Sequence, residues 1–460
     1  MSVPWLTLAV LLPGLAGVLL LRSSLAARAR VVAVVVCSAV LFAAVAAARA
    51  QGTDPWLPLL AVDALSALLL PFVALLCAML VLAAPRAWAS PGALGRLLIN
   101  ESILMAAFAV SDLRWLGVLW IASYGPVVHA LYTDDADRRV ARVFLLYSGA
   151  SSAAFTTGLL LMGPHPLADS ASWSFFVWQD LAQPSVAGVA LVLTAVLLRK
   201  ASLPFHSWLP AVFDVRPTGP VLLLIAPMLG AYSLVRVALP MMRSVLGEHV
   251  FVLGPLSLLT AAYAAGLGLV QQDLRRLCAW LAVSQSALVL VGLECAQGDG
   301  LTGGVVVWLS AGLSLTGLGI AAWLIESRHG RLSLERHHGL YRRSPLLALV
   351  FLLCGLSLVG FPGMVGFVGG DLLLRAVLES FPLAGVLLFV TTAANGFSIL
   401  RAFFRVFYGA PQAGGVVDLV PRERVALLVP LVLVLWQGLH PAPLVNAGAE
   451  AARVILLRTR

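Results

Sequence analysis

The sequence carries little charge for its length. Only 11% of its 460 residues are Asp, Glu, Lys or Arg, whereas soluble domains hold about 25%. Lys200 is the only lysine in the chain, so arginine supplies nearly all of the basic side chains behind the formal net charge of +9. This scarcity excludes an ordinary soluble protein, and the 61% of hydrophobic residues indicates an integral membrane protein. Arginine-rich cytoplasmic loops then explain the positive charge, and no nucleic-acid partner is expected.

Cysteine is also sparse, and its spacing excludes several kinds of site. The five cysteines stand singly at positions 37, 77, 278, 295 and 354, without metal-ligand spacing or a disulfide framework, so we expect small core residues. Three histidines fall in HGRLSLERHH (329–338) without zinc-type spacing, and we interpret this stretch as a solvated cytoplasmic loop. A Gly-rich nucleotide loop, an iron–sulfur cysteine cluster and a nucleophile elbow are all missing. Any redox chemistry is therefore expected on partner subunits.

Apolar segments long enough to cross a bilayer recur from end to end. They cover residues 3–22, 31–49, 57–84, 93–110, 113–132, 141–163, 184–203, 217–241, 249–270, 274–294, 301–325, 345–374, 382–408 and 422–440. We therefore predict an all-α polytopic membrane protein of about 14 transmembrane helices that forms a single integral membrane domain, 1–460. The first segment lacks a basic n-region and a cleavage site, and we interpret it as a retained span.

Loop charges give an independent test of this topology. With the N-terminus outside, nearly all of the inside loops are rich in arginine. The opposite loops hold the acidic residues Asp54, Asp169, Asp180, Glu248, Glu294 and Asp299. This alternation predicts a multi-pass protein of the cell inner (cytoplasmic) membrane with both termini on the non-cytoplasmic side. The C-terminal tail, which carries three arginines, is the exception.

One stretch, LRKASLPFHSWLPAVFDVRP (198–217), interrupts the apolar pattern with prolines and charges. Proline removes a helix hydrogen bond, and a charge at bilayer depth costs at least about 2.5–3.5 kcal/mol. Such a break usually marks an ion or substrate path, although a short polar loop between two helices is the alternative. Arg199, Lys200 and His206 are the candidate ion-path residues here. His206 could shuttle protons or make a hydrogen bond within the break.

Other ionisable residues in apolar segments are weaker candidates. Glu101 could belong to an ion path or pair with an arginine at a helix end. Asp371 and Arg375 are spaced as an i,i+4 pair, which could be a relay or a simple buried ion pair. Asp63 lies near a helix start, where a carboxylate suits the helix dipole, so we interpret it as structural.

The segment LRKASLPFHSWLP resembles the antiporter-like membrane subunits of respiratory complex I (NADH:quinone oxidoreductase) within the cation/proton antiporter superfamily. The resemblance covers most of the chain, and its details favour the middle subunit type. Further matching segments are AVDALSALLLPFVALL (61–76), SDLRWLGVLWIASYGP (111–126), QQDLRRLCAWLAVSQSALVLVGL (271–293), AGLSLTGLGIAAWLIESRHG (311–330), GFPGMVGFVGGDLLL (360–374), ILRAFFRVFYG (399–409) and DLVPRERVALLVPLVLVLWQGLHPAPL (418–444).

The resemblance implies 14 helices with two inverted five-helix repeats, whose helices 7 and 12 are discontinuous. Residues 1–90 would hold helices 1–3, residues 91–245 and 246–410 the two repeats, and residues 411–460 helix 14. The implied partners are the lipid bilayer and other membrane subunits of a complex I-like, antiporter or hydrogenase assembly. Flavin, iron–sulfur clusters and quinone would belong to those subunits, with no cofactor or metal in this chain.

The chain departs from the family at the residues to which ion translocation is attributed. Helix five should carry a glutamate where this sequence has Ile121, and helix seven a lysine where it has Arg199, with Lys200 one place later. Helix eight should carry a lysine or histidine, and neither occurs between residues 218 and 236. Ala311 stands at the histidine position of helix eleven. Gly370 stands at the lysine or glutamate position of helix twelve, beside Asp371.

Three functions follow as hypotheses. The chain could help to move H⁺ or Na⁺ while partner subunits transfer electrons to quinone. It could instead be a structural or adapted subunit whose ion channel has decayed, which the missing residues favour. It could also be the membrane subunit of an inorganic-carbon uptake complex.

Overall fold

The computed structural model describes most of the chain. The described residues are 3–22, 28–133, 138–164, 173–174, 185–226, 228–246, 253–295, 298–380, 382–410 and 419–458. Within them, nine helices are long and apolar enough to cross a membrane by themselves. A bilayer offers the backbone no hydrogen-bond partners, so apolar segments of this length satisfy their amides internally as helices. The prediction of an all-α, multi-pass membrane protein is confirmed.

The helices follow one another with short connections. Their bounds are α1 Trp5–Arg22, α2 Ala29–Ala50, α3 Ala64–Ala83, α4 Pro91–Ala109, α5 Leu113–Ala122, α6 Gly125–Thr133, α7 Arg138–Met162, α8 Val186–Arg199, α9 Trp208–Val215, α10 Thr218–Ile225, α11 Leu229–Ser233, a π turn Leu234–Ala238, α12 Leu239–Leu246, α13 Leu253–Val270, α14 Leu274–Glu294, α15 Gly298–His329, α16 Pro345–Leu358, α17 Val365–Ser380, α18 Pro382–Phe407, α19 Pro421–Leu439 and α20 Ala442–Arg458. A two-stranded antiparallel hairpin, β1 Gly52–Thr53 and β2 Ala61–Val62, precedes α3 and pairs Gly52 with Val62.

The core of the bundle is built on α14 and α15. Every residue from 300 to 325 of α15 is buried, and so is every residue of α14 from 277 to 294. Helices α3, α10, α16, α17, α19 and α20 pack around α15, so the longest helix is enclosed by protein on all sides. A helix that is apolar all round is buried in this way.

Two spans are interrupted where the sequence predicted a break. Helix α8 ends at Arg199, and α9 begins at Trp208 after an irregular connection through Pro204. Helix α16 ends at Leu358, and α17 begins at Val365. This second break is shorter than the predicted irregular stretch 360–370, because the backbone is already helical from residue 365.

Three segments that we predicted as continuous spans are divided or shortened. The segment 113–132 is split between α5 and α6 at Ser123 and Tyr124. The segment 217–241 is broken after Ile225, where Met228 has a left-handed φ of 52°, and is then distorted by the π turn. The segment 57–84 becomes helical only at Ala64, because its first residues form the hairpin.

Three predictions for polar segments are wrong. The C-terminal tail folds as α20, which bends by 83° from α19 and packs on α15 and α3. Glu294, predicted in a loop, is the last residue of α14 and only 3% exposed. The stretch 329–338 is not simply solvated, since His338 is 2% exposed and its Nε2 lies 2.7 Å from the Ser333 carbonyl oxygen. Predicted loop residues Asp169, Asp180 and Glu248 lie outside the described residues.

Candidate functional site

The end of α8 places a buried arginine against the junction of α5 and α6. Arg199 is 8% exposed, and its Nη2 donates to Ser123 Oγ at 2.8 Å. The guanidinium carbon lies 4.5 Å from the Trp120 ring centroid and 4.4 Å from that of Tyr124. At these distances the ring faces attract the cation. Arginine keeps its proton at any relevant pH, so Arg199 supplies a fixed positive charge.

Within the described residues no carboxylate pairs with this guanidinium. Ile121, which stands at the family's glutamate position, is 49% exposed and lies on the outer surface of the chain. The hydroxyl of Ser123 and the two aromatic rings take over the role of holding the cation. The arrangement preserves a charge at the break but provides no acid beside it.

Lys200 adjoins Arg199 and is buried, at 5% exposed, as the residue that closes α8. Its Nζ has no hydrogen-bond partner in the part of the chain that the structure describes. Gly230 on α11 makes room for the side chain, because a Cβ built there would lie 2.9 Å from Lys200 Cγ and 3.0 Å from Cδ. A buried ammonium without a fixed partner can exchange a proton, which the neighbouring arginine cannot.

His206 lies in the same break, half-buried. Its ring centroid is 5.2 Å from that of Tyr263 and 5.7 Å from that of Trp280. Its Nδ1 is buried and has no hydrogen-bond partner among the described residues. Neither of the two roles predicted for His206 is therefore decided by its contacts, and its role in an ion path stays a prediction.

The second break opens onto a cavity of about 270 Å³. Ala311 and Gly370 line it, at the two positions where the family carries titratable side chains. A Cβ built at Gly370 meets no atom within 4 Å. The polar side chains on its wall are Gln285, Ser310, Ser357, Asp371 and Thr392. The small residues thus leave open space where larger ionisable groups would stand, and polar groups remain around it.

Asp371 and Arg375 form the predicted ion pair, with Arg375 Nη2 2.9 Å from Asp371 Oδ2. Their side chains are 41% and 65% exposed, so the prediction of a buried pair is wrong. Position 371 turns partly outward because its neighbour at 370 faces open space, and exposed pairs of this kind contribute little to stability. Asp371 still lines the cavity and remains its one carboxylate among the described lining residues.

Glu101 is fully buried in the middle of α4, away from both breaks. Cys37 Sγ on α2 donates to Glu101 Oε2 at 3.3 Å, and Glu101 Oε1 has no partner in the described chain. The prediction of a helix-end partner for an arginine is wrong, because α1, α2 and α3 enclose this position with apolar side chains. Its contacts bring it to neither break, and its place in an ion path stays a prediction.

Sequence reasoning missed an ion pair between α3 and the π turn. Arg236 Nη2 donates to Asp63 Oδ1 at 2.6 Å and to Ser66 Oγ at 3.3 Å. Asp63 also caps α3, since its Oδ1 accepts the Ser66 amide at 3.0 Å. The available signal was a lone arginine at 236 inside an apolar run, without any indication of its partner.

A second network joins the short helix α9 to the beginning of α14. Asp214 Oδ1 lies 2.9 Å from Arg276 Nε and 2.6 Å from Arg331 Nη2. Arg331 Nε also lies 2.6 Å from Asp273 Oδ2. Several charges linked in one network hold geometry better than an isolated surface pair. The network therefore ties the far side of the first break to the second half of the chain.

Comparison with known proteins places this geometry in context. The family described as NADH:quinone oxidoreductase/Mrp antiporter, TM matches residues 141–395, which include both breaks. NADH-quinone oxidoreductase subunit 13 of Thermus thermophilus is 28% identical over 393 residues, 77% of this chain and 80% of that protein. F(420)H(2) dehydrogenase subunit M of Methanosarcina mazei is 24% identical over 378 residues, covering 79% and 76%.

A solved structure has the same fold over the full length. A chain of respiratory complex I from Thermus thermophilus with bound NADH aligns with a TM-score of 0.86 at 24% identity. The alignment covers 99% of this chain and 100% of that chain. The fold is therefore shared from end to end, while the ionisable residues at the two breaks differ from the pattern that the sequence comparison led us to expect.

Proposed function

Because the chain belongs to the NADH:quinone oxidoreductase/Mrp antiporter transmembrane family, we propose that it is the antiporter-like membrane subunit of a complex I-type assembly. It contributes to moving H⁺ or Na⁺ across the membrane, coupled to electron transfer to quinone by partner subunits. The observation that carries this proposal is a buried lysine, Lys200, with no fixed partner in the described chain, at a helix break in the bundle. Such a group is costly to bury, and in membrane proteins it marks an ion path.

The proposed topology has 14 spans, with both termini on the non-cytoplasmic side of the cell inner membrane. Two inverted five-helix repeats, 91–245 and 246–410, follow the three helices of 1–90. The paired breaks after α8 and α16, one in each proposed repeat, support this arrangement. Flavin, iron–sulfur clusters and quinone belong to partner subunits in this proposal, and membrane subunits pack against the exposed apolar faces.

In the proposed mechanism the two basic residues at the first break have different tasks. Arg199 is a fixed charge, held by Ser123, and it biases the electric field at the break. Lys200 gains and loses the transported proton, because a neighbouring positive charge favours its release. At the second break, Asp371 offers a carboxylate at the wall of the 270 Å³ cavity, where water can reach it.

A structural subunit with a decayed channel is the second candidate. The surface position of Ile121 and the empty space at Ala311 and Gly370 favour it, because the family's ionisable groups are gone from all three positions. In this alternative the breaks are inherited features of the fold and the chain anchors its partners in the membrane.

Proton pumping by the native assembly in vesicles separates the two candidates. Lys200→Met and Asp371→Asn should each lower the number of protons moved per electron transferred, while electron transfer itself continues. Glu379→Gln, which changes an exposed carboxylate of the same helix as Asp371, is the matched control and should change nothing. An unchanged ratio in both variants, with the assembly intact, would support the structural subunit.

A further inference from the structure

Glu294 is a buried carboxylate in a place that disfavours it. It is 3% exposed and is the last residue of α14, where the helix dipole presents its negative end. Its Oε2 has no hydrogen-bond partner within the described ranges. Burial, the dipole and the missing partner all oppose a negative charge here, so the position is not explained by stability. Buried acids in such positions are candidates for a functional site.

Lys200 is the buried cation whose charge acts on Glu294. The two side chains interact electrostatically, although they come from helices in different halves of the chain. Gly230 lets the lysine stem pass, since any larger residue would collide with its Cγ and Cδ. Arg199, the preceding residue, repels the lysine charge from the other side. The lysine is thus set between a fixed positive charge and a buried acid.

A hydroxyl and a small cavity continue the polar connection at Glu294. Ser257 on α13 lies beside the carboxylate, although its Oγ makes no aligned hydrogen bond to a described residue. Glu294 also lines a cavity of about 10 Å³, close to the minimum that holds one water molecule. Gly254, Pro255 and Val377 are on its walls. The cavity therefore lies at the end of the bundle where α13 begins and α14 ends.

We propose that Lys200 and Glu294 are a proton-transfer pair that replaces the missing acid–base groups of the first repeat. This inference rests on the proposed function. In the transfer step the N–H bond of the Lys200 ammonium breaks and an O–H bond forms on the Glu294 carboxylate, through Ser257 or one water. The products are a neutral amine and a neutral acid. Glu294 then releases the proton to water at the end of α14, and Lys200 takes up another from the side of the break.

The test is the ratio of protons moved to electrons transferred by the native assembly in vesicles. Glu294→Gln should lower the ratio by the same fraction as Lys200→Met. The double variant should show no further loss, because either change interrupts the same path. Glu450→Gln, which removes an exposed carboxylate from α20, is the matched control and should leave the ratio unchanged.

Two results separate this inference from the proposed function. A low ratio in Lys200→Met with a normal ratio in Glu294→Gln would overturn the pair while leaving translocation in place. Normal ratios in both variants would overturn the pair and the proposed translocation through Lys200 together. If Glu294→Gln does not assemble, Glu294→Asp, which keeps the acid, should assemble and keep a higher ratio than Lys200→Met, and a ratio as low as that of Lys200→Met would contradict the pair.

Discussion

Arg236 in the π turn donates to both carboxylate oxygens of Asp63 at the start of α3, across 173 positions of sequence. The arginine side chain is 5% exposed and that of the aspartate is 16% exposed. The ring of Tyr232 lies 5.1 Å from the guanidinium carbon and shields it further. The pair fixes the distorted helix that carries Gly230, and Gly230 is the residue that gives Lys200 its space.

Breaking this pair on one side should be strongly destabilising. Arg236→Leu leaves the Asp63 carboxylate without its main counter-charge, so we expect a loss of about 3–5 kcal/mol in the free energy of unfolding. Asp63→Asn combined with Arg236→Leu should recover most of this loss, since an asparagine can still cap α3. Thermal unfolding of the purified assembly measures both. A double variant no more stable than Arg236→Leu alone would contradict this account of the pair.

Two glycines of α17 should respond in opposite ways to the same change. Gly370→Ala places its Cβ in open space and gains helix propensity, so we expect about 1 kcal/mol of added stability. Gly366→Ala would drive its Cβ into the carbonyl oxygen of Ser357 and force the two halves of the broken span apart. We expect a loss of at least about 1–3 kcal/mol. Melting temperatures that shift in the same direction would show that the break is not packed as described.

Asp54, in the connection between α2 and α3, gives stability a pH dependence. Burial raises the pKa of this carboxyl, but hydrogen bonds from Thr7, Trp56 and Leu57 to its charged form outweigh burial and hold the pKa below its usual value. The stabilisation is therefore present above the unfolded-state pKa of about 3.9 and is lost as the pH falls through the lower, folded-state pKa.

Asp54→Asn should consequently lower the melting temperature at neutral pH, by an amount that corresponds to about 1–2 kcal/mol. The difference from the unmodified chain should stay constant above pH 5 or so and shrink below about pH 4. Thermal unfolding at a series of pH values measures this difference. A gap that widens as the pH falls would reverse the sign that the hydrogen bonds to Thr7 predict.

The sequence predicts the helices well because apolar length and loop charge are local properties. Proline and charge at 198–217 also marked the first break correctly, because both are costly inside a helix at bilayer depth. The break after Ile225 was missed because it follows an apolar run, and hydropathy has the same value for a regular and an interrupted helix. Local conformations such as that of Met228 are set by tertiary contacts.

The partners at the site were beyond the reach of local patterns. Glu294 was assigned to a loop because an acid at the end of an apolar segment is usually solvated, and only the packing of α13 and α14 buries it. The pairing of Asp63 with Arg236 depends on how α3 and the π turn meet in space. The position of Lys200 beside Gly230 likewise joins two elements that no spacing rule relates.

The central claim is that a proton passes through Lys200. Its most direct test is the ratio of protons moved to electrons transferred, measured in vesicles that contain the native assembly with and without Lys200→Met. Methionine keeps the length and the packing against Gly230 but can neither bind nor release a proton. The account predicts a lower ratio with unchanged assembly and continued electron transfer. An unchanged ratio would contradict it.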